Sequence, residues 1–325
     1  METVISGHFA IQRLIGTNGT QQGTIAPGRQ RFPTNNVRVS KRQPPSYRSA
    51  KETAMSDIYP APSIVVGVDG SRAATNAALW AVDEAVSRDI PLRLVYVIDE
   101  MDSSDPGAHT GRLAAARAAL HDAYRTVDAT GAPVKVEPEI LWGKPLTKLM
   151  EESRSAAMIC VGSIGLNHAC RGGGSTAAAL AGSSLCPVAV VRRPPGRQAT
   201  PHVSIVVAQV DNGMVLRRAF EEARLRGATL RAISVSQAEA LRDGSDAGDG
   251  NRLAQAQMNR RLSRWTRLYP DVPVESVVVQ GSVEEYLTAN DEADQVFVTD
   301  SHTCEDLCGA YNAGRSVLAI RCSHL

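Results

Sequence analysis

The stretch Gly162-Ser163-Ile164-Gly165, with Gly174-Ser175-Thr176 shortly after it, decides the fold of this chain. The apolar run 157–161 before it has the length of a buried strand, and the alanine-rich run 177–182 after it predicts a helix start. Glycines in such a loop let backbone N–H groups converge on an anion, and the helix N-terminus adds the positive end of its dipole. The arrangement predicts a phosphate site, although a loop of this composition also occurs as a plain connection.

A second strand end lies upstream, in Ile64-Val65-Val66-Gly67-Val68-Asp69-Gly70-Ser71. Its apolar residues predict a buried strand, and an amphipathic helix follows it. Ligands of open parallel sheets bind beyond the carboxyl ends of strands, where the strand order reverses. The two strand ends therefore predict two sides of one crevice, although Asp before Gly is also ordinary turn chemistry.

Residues 64–191 alternate between strand and helix patterns. Apolar runs predict strands at 64–69, 92–98, 134–141, 157–161 and 187–191, and helices are predicted at 72–88, 112–129, 145–153 and 175–183. Five strands that alternate with helices indicate a parallel sheet covered on both faces.

The second half of the chain repeats the first. Leu230 corresponds to Leu92, and Gly281 corresponds to Gly143, at the same offset of 138 residues, which indicates a duplicated domain. At that offset Asp300 and Thr303 replace Gly162 and Gly165. Because an anionic side chain repels phosphate, the second copy is predicted to be degenerate as a nucleotide site.

These patterns predict domains at 61–194 and 203–325, joined by a Pro/Arg-rich linker at 195–202. Residues 1–60 are basic, polar and without apolar periodicity, so a disordered extension is predicted there, and Met55 is an alternative translation start. A basic anchoring tail or a transit peptide would have a similar composition.

Composition excludes several classes of function. The 325-residue chain has a net charge of +1, so neither nucleic acid nor membrane is an expected partner, and no apolar run has the length of a membrane span. A cytoplasmic protein is expected. The segment His302-x-Cys304-x3-Cys308 does not have standard zinc spacing, so no metal site is predicted.

The motifs VVGVDGS and GSIG-x8-GST, followed by Cys186-Pro187-Val188-Ala189-Val190-Val191, resemble the universal stress protein family, in its tandem two-domain actinobacterial form. The resemblance implies an α/β fold of two tandem flavodoxin-like (Rossmann-like) domains, each a five-stranded parallel sheet with helices on both faces. It also implies ATP as ligand, as Mg-ATP. The family's loop motif, G-x2-G-x9-G-[ST], has eight rather than nine residues between Gly165 and Gly174 in this chain.

The resemblance carries a set of site residues onto this sequence. Adenine and ribose are expected near Gly67, Val68, Asp69 and Val97, and the phosphates near Gly162, Ser163, Gly165, Gly174, Ser175 and Thr176. The last strands of the two domains are expected to pair edge to edge within one chain, and a homodimer and an unidentified protein partner are compatible with the family.

Three functions compete. The first is an ATP-binding regulatory protein of a stress or dormancy response, which is not primarily an enzyme. The second is an ATP-using enzyme. The sequence speaks against it, because the chain lacks a Walker lysine, a Ser-Gly-Gly-x-Asp-Ser loop and a paired acid and base near the predicted phosphate site. Slow ATP hydrolysis remains compatible with the sequence. The third is a nucleotide-free interaction module with a relic loop.

Overall fold

A computed structural model describes residues 38–40, 62–99, 106–163, 176–192, 203–236, 247–290, 294–301 and 316–321. The linker 195–202, most of the segment 1–60 and the cysteines at 304 and 308 lie outside these residues. Across the described part of the chain, no helix is both long and apolar enough to cross a membrane.

Strands and helices alternate along the chain. The strands are β1 (Arg38–Ser40), β2 (Ile64–Gly67), β3 (Leu92–Ile98), β4 (Val136–Trp142), β5 (Met158–Gly162), β6 (Val188–Val191), β7 (Ile205–Gln209), β8 (Thr229–Ser236), β9 (Val274–Gln280), β10 (Gln295–Asp300) and β11 (Ser316–Ile320). The helices are α1 (Arg72–Arg88), α2 (Pro106–Asp128), α3 (Pro145–Glu152), α4 (Thr176–Ser183), α5 (Gly213–Arg226), α6 (Ala247–Leu268) and α7 (Val283–Ala289).

All these strands form one sheet, in the order β1-β4-β3-β2-β5-β6-β11-β10-β7-β8-β9. Within each domain the five strands follow the order third, second, first, fourth, fifth, which is a doubly wound arrangement. Neighbouring strands of a domain are parallel, as the alternation of strands and helices predicted. The predicted α/β fold with two similar domains is therefore confirmed.

The two domains are joined through their last strands. β6 and β11 pair antiparallel, with Ala189 opposite Leu318. Ser316 reinforces the joint, because its hydroxyl accepts a hydrogen bond from the Arg192 N–H at 3.1 Å. The edge pairing expected from the family resemblance is thus present within one chain, and it removes one exposed edge from each domain.

Each face of the sheet carries its own apolar core. On one face, α1, α2, α5 and α6 pack on a cluster of apolar side chains from both domains, which includes Val66 of β2 and Phe220 of α5. On the other face, α3, α4 and α7 cover a second cluster that contains Leu149 and Phe297. The core on the first face is continuous across the domain boundary, so the domains share apolar packing as well as strand pairing.

Two elements depart from the expectations. The strand β1 lies within the extension for which no structure was predicted; it pairs parallel with β4, with Val39 opposite Ile140. The pairing uses backbone groups of an exposed edge and needs no apolar periodicity, which is why composition did not indicate it. Helix α2 begins at Pro106 and not at residue 112, because proline is well suited to the first helical position.

Candidate functional site

The candidate site lies at the carboxyl ends of β2 and β5. These strands are parallel neighbours, with Val66 opposite Cys160, so Gly67-Val68-Asp69 lies beside Gly162-Ser163. The order of strands reverses here, since the chain continues from β2 to β3 on one side and from β5 to β6 on the other. The two strand ends that the sequence singled out are therefore brought together at the switch point of the first domain.

The turn from β2 into α1 is closed by hydrogen bonds of its own side chains. The Ser71 N–H donates to Asp69 Oδ1 at 2.9 Å, and the Ala74 N–H donates to Ser71 Oγ at 3.1 Å. Gly70 has a φ of 85°, a left-handed conformation that a side chain would disfavour. The Ser71 hydroxyl is thus committed to capping the helix.

The N-terminus of α1 carries the positive end of the helix dipole. Its first turn contains no acidic residue, and the Asp69 carboxylate lies just before the capping residue Ser71. Asp69 is half-buried just before the helix. Burial, together with the charge of Asp69, raises the pKa of the Tyr96 phenol on the neighbouring strand β3. The arrangement provides a carboxylate for hydroxyl groups beside a helix terminus suited to anions.

The packing of α1 explains why residue 162 is a glycine. A Cβ on this residue would lie 2.5 Å from the carbonyl carbon of Ala73 and 2.8 Å from the nitrogen of Ala74. The first turn of α1 therefore occupies the space beside Gly162. This is a different reason for the glycine than the phosphate contact inferred from the sequence, and it explains how the helix terminus reaches the crevice.

Gly67 and Val97 lie on the opposite face of the sheet, above α3. A Cβ at Gly67 would be 3.2 Å from Val161 Cγ1 and 3.4 Å from Leu149 Cδ1. Val97 is half-buried and packs against the same apolar cluster as Leu149. Both residues are thus placed by α3 at the floor of the crevice, while Val68 is buried on the α1 face.

Helix α3 is held in place by an ion cluster that sequence reasoning missed. Arg93 on β3 donates to Glu152 at 2.6 Å and also contacts Glu139 of β4. All three side chains are largely buried. Burial acts to lower the pKa of Arg93, but the two carboxylates outweigh it and raise that pKa. Alternation of charge with apolar residues in β3 and β4 was the available signal, but the partner on α3 is not visible from sequence.

Three residues of the predicted phosphate loop, Gly165, Gly174 and Ser175, lie outside the described residues. Ser163 is placed at the end of β5, where its N–H donates to the Val191 carbonyl at 2.9 Å. Thr176 is exposed and begins α4, as predicted for the end of the loop.

The second domain has a different arrangement at the equivalent point. Asp211 follows β7 as Asp69 follows β2, but it forms an ion pair with Arg261 of α6. Helix α5 has 14 residues where α1 has 17, and Asn212 caps it. Asp300 ends β10, as predicted, while Thr303 lies outside the described residues. Nothing in the local sequence indicates the pairing of Asp211 with Arg261, because the partners are 50 residues apart.

Metal and thiol chemistry find no support among the described residues. No group of three or more metal-ligating side chains is present in this part of the chain. Cys160 and Cys186 are buried and free, and burial raises the pKa of both thiols, to about 12 for Cys186. As expected for core cysteines, neither is a candidate nucleophile.

Comparisons with known proteins place the chain among close relatives. A family model described as the universal stress protein family matches residues 62–192. The chain is 60% identical over 272 residues to universal stress protein Rv3134c of Mycobacterium tuberculosis, which covers 83% of this chain and 100% of that protein. It is 43% identical over 273 residues to universal stress protein Rv2028c of the same species, covering 81% of this chain and 95% of that protein.

The comparison with solved structures shows the fold through one archaeal protein. A universal stress protein from Archaeoglobus fulgidus matches with a TM-score of 0.58 at 16% identity, over 80% of this chain and 98% of that one. A universal stress protein in complex with cAMP matches 40% of this chain and 96% of that one, with a TM-score of 0.33 and 23% identity.

Proposed function

This chain belongs to the universal stress protein family, and we propose that it is a regulatory protein of a stress or dormancy response that binds one ATP, as Mg-ATP, in its first domain. The observation that carries the proposal is the arrangement of the first switch point, where Asp69 lies beside the N-terminus of α1 at the carboxyl ends of β2 and β5. The second copy has Asp300, and not a glycine, at the position equivalent to Gly162.

The chemistry of the first switch point suits a nucleoside phosphate. A carboxylate accepts hydrogen bonds from ribose hydroxyls, and the helix terminus attracts an anion. Half-buried Val97 and Gly67 offer an apolar surface for a base on the other side of β2. The resemblance of the glycine loop at residues 162–176 to the family motif supports a triphosphate, with Mg²⁺ held mainly by phosphate oxygens.

The function that we propose is not primarily that of an enzyme. The Asp69 carboxylate contributes its Oδ1 as the acceptor for the Ser71 N–H. The Ser71 hydroxyl in turn accepts from the Ala74 N–H and so caps α1. Neither group is thereby arranged as a nucleophile with an adjacent base. The function is therefore assigned to nucleotide-dependent regulation of an unidentified protein partner, with turnover of bound ATP slow.

Calorimetry on the full chain tests the proposal. We expect one site for Mg-ATP, and we expect Asp69→Asn to weaken binding about tenfold, because one strong acceptor for a ribose hydroxyl is lost. Asparagine keeps the oxygen that accepts from Ser71, so the turn is preserved. The matched control is Asp211→Asn in the second domain, which should leave the affinity unchanged.

The other outcomes separate the competing functions. No binding at millimolar ATP, AMP or cAMP would favour the nucleotide-free interaction module. Two sites of similar affinity, or equal effects of the two aspartate variants, would contradict the assignment to the first domain. Steady phosphate release at a rate that depends on Asp69 would favour an ATP-using enzyme.

A further inference from the structure

Helices α1 and α5 meet across the domain boundary. They are equivalent elements of the two domains, and their C-terminal halves are related by the 138-residue offset, which matches Glu84 with Glu222 and Arg88 with Arg226. Each helix therefore carries the same Glu–Arg pair one turn apart, and in each helix the two side chains form an ion pair. The duplication places two buried glutamates at one joint.

Arginines of α5 bind both glutamates at once. Arg218 Nη2 lies 3.0 Å from Glu84 Oε2 and 2.6 Å from Glu222 Oε1. Arg226 Nη2 lies 3.0 Å from Glu84 Oε1, and Arg226 Nε lies 3.2 Å from Glu222 Oε2. Since one nitrogen of Arg218 contacts an oxygen of each carboxylate, the two carboxylates lie side by side. We call these four residues the interdomain ion cluster.

The interdomain ion cluster is shielded from solvent. The side chains of Glu84, Glu222 and Arg226 are 0%, 1% and 2% exposed, and the guanidinium of Arg226 lies 4.0 Å above the ring of Trp80. Two adjacent ionised carboxylates are costly in such a place, because water cannot screen their repulsion. The two arginines of the cluster, together with Arg88, which contacts Glu84, offset the charge, but they do not separate the carboxylates.

One oxygen of the cluster lacks a hydrogen bond. Glu222 Oε1 is buried and has no hydrogen-bond partner of acceptable geometry, although Arg218 Nη2 approaches it as an ion-pair contact. Such a buried acceptor is unfavourable, because its lone pairs have lost their hydration without gaining a hydrogen bond. A proton on this oxygen would turn it into a donor toward Glu84, and would satisfy both carboxyl groups.

We propose that Glu84 and Glu222 share one proton at neutral pH, and that this proton closes the joint between the two domains. Its loss at alkaline pH leaves two carboxylates facing each other and loosens the contact between α1 and α5. The proton leaves to solvent, so no other reactant is required. The joint is therefore a pH-sensitive device, separate from the nucleotide crevice at the opposite end of α1.

The surrounding charges agree with one retained proton. Burial raises the pKa of Glu222 to about 8, and the neighbouring Glu84 acts in the same direction. Burial also acts to raise the pKa of Glu84, but the Glu222 carboxyl group and the nearby arginines outweigh it and lower that pKa to about 2. The other charged or titratable groups that face the pair from the described elements are Asp83 and Arg88 on α1, Glu221 on α5 and the Cys160 thiol of β5.

The sign of the pH dependence follows from the raised pKa of Glu222. Between a pH of about 4.5 and about 8 the folded protein holds a proton that the unfolded chain has released, so its stability falls as the pH rises through this window. The loss is up to tenfold in the unfolding constant per pH unit, which corresponds to about 3 °C in melting temperature for a chain of this size. Above a pH of about 8 this contribution is exhausted.

Thermal unfolding of the full chain from pH 6 to pH 9 tests the proposal. The melting temperature of Glu222→Gln should fall less steeply than that of the parent, by about 3 °C per pH unit below pH 8. Glutamine keeps the size of the side chain and a donor toward Glu84 but has no proton to lose. The matched control is Glu151→Gln on α3, on the opposite face of the sheet and bound to Lys148 at 2.8 Å, which should keep the parent slope.

Infrared spectroscopy of the parent gives a second, direct measurement. We expect the C=O stretch of a protonated carboxylic acid at pH 6.5, its loss by pH 9, and its absence in Glu222→Gln and Glu84→Gln. A parent spectrum without this band at pH 6.5 would overturn the proposal, even if a variant failed to fold. Parallel melting profiles of the parent and Glu222→Gln would also overturn it.

Discussion

Gly162→Ala should destabilise the protein strongly, although it adds a single methyl group to a residue at the end of a strand. The new Cβ would lie 2.5 Å from the Ala73 carbonyl carbon and 2.7 Å from Ala73 Cβ. Ordinary contacts between such atoms are about 3.5–4.0 Å, so α1 must move away by about 1 Å. The clashing atoms belong mainly to the helix backbone, which cannot relieve the clash by changing rotamer as a flexible side chain can.

The magnitude follows from the cost of overpacking. Inserting a methylene into a filled core costs typically about 1–3 kcal/mol, and a clash with backbone belongs at the upper end. A loss of about 3 kcal/mol corresponds to about 6–12 °C in melting temperature. Gly67→Ala should cost less, about 1 kcal/mol, because its nearest contacts are side chains of Val161 and Leu149 at 3.2 and 3.4 Å.

Urea denaturation of the parent and three variants measures these differences. Gly111→Ala is the matched control, since it lies within α2 with no atom near the added Cβ. That substitution should stabilise the protein by about 0.5–1 kcal/mol, because alanine is the better helix former. Similar stabilities of Gly162→Ala and the parent would show that α1 does not pack on Gly162, and the phosphate role of the glycine would regain its support.

Three further predictions follow from the same structure. Arg93→Met should lower the free energy of unfolding in urea by about 3–5 kcal/mol, because it leaves the buried Glu139 and Glu152 without their cation. Arg231→Met, whose partner Glu275 is exposed, should lower it by less than about 1 kcal/mol. Removing residues 1–54 should change the melting temperature by less than about 2 °C, because the few backbone hydrogen bonds of β1 barely exceed the entropy of ordering it; a larger loss would show that the extension stabilises the edge of the sheet. Calorimetry should find that Gly165→Val abolishes ATP binding with unchanged circular dichroism, while Ser175→Ala weakens binding about ten- to hundredfold; the reverse order would place the phosphates elsewhere.

Elements with strong local patterns could be predicted closely from the sequence. The predicted helix at 72–88 and strand at 92–98 coincide with α1 and β3, because small apolar residues recur on one face of the helix and branched residues fill the buried strand. The edge pairing of β6 with β11 was inferred from the family resemblance, since periodicity within one strand does not identify its partner.

Contacts between distant side chains could not be predicted in the same way. The ion pair of Asp211 with Arg261, and the meeting of Glu84 with Glu222, depend on how helices cross. Periodicity places Glu84 on the apolar side of α1, between the buried residues Ala81 and Ala85. A charged residue in that position is the signal that sequence reasoning missed, because charged side chains are rarely buried without partners.

The two ends of α1 have different physical constraints, and this explains how the duplicated domains diverged. At its C-terminal half, α1 must match α5, so the Glu–Arg pair is present in both copies and changing one copy alone would leave a buried charge unpaired. At its N-terminal end the helix faces the crevice, where a side chain from α6 can meet the aspartate of the second copy without disturbing the shared core. The crevice of one copy was therefore free to change, while the joint required both domains to keep the same residues.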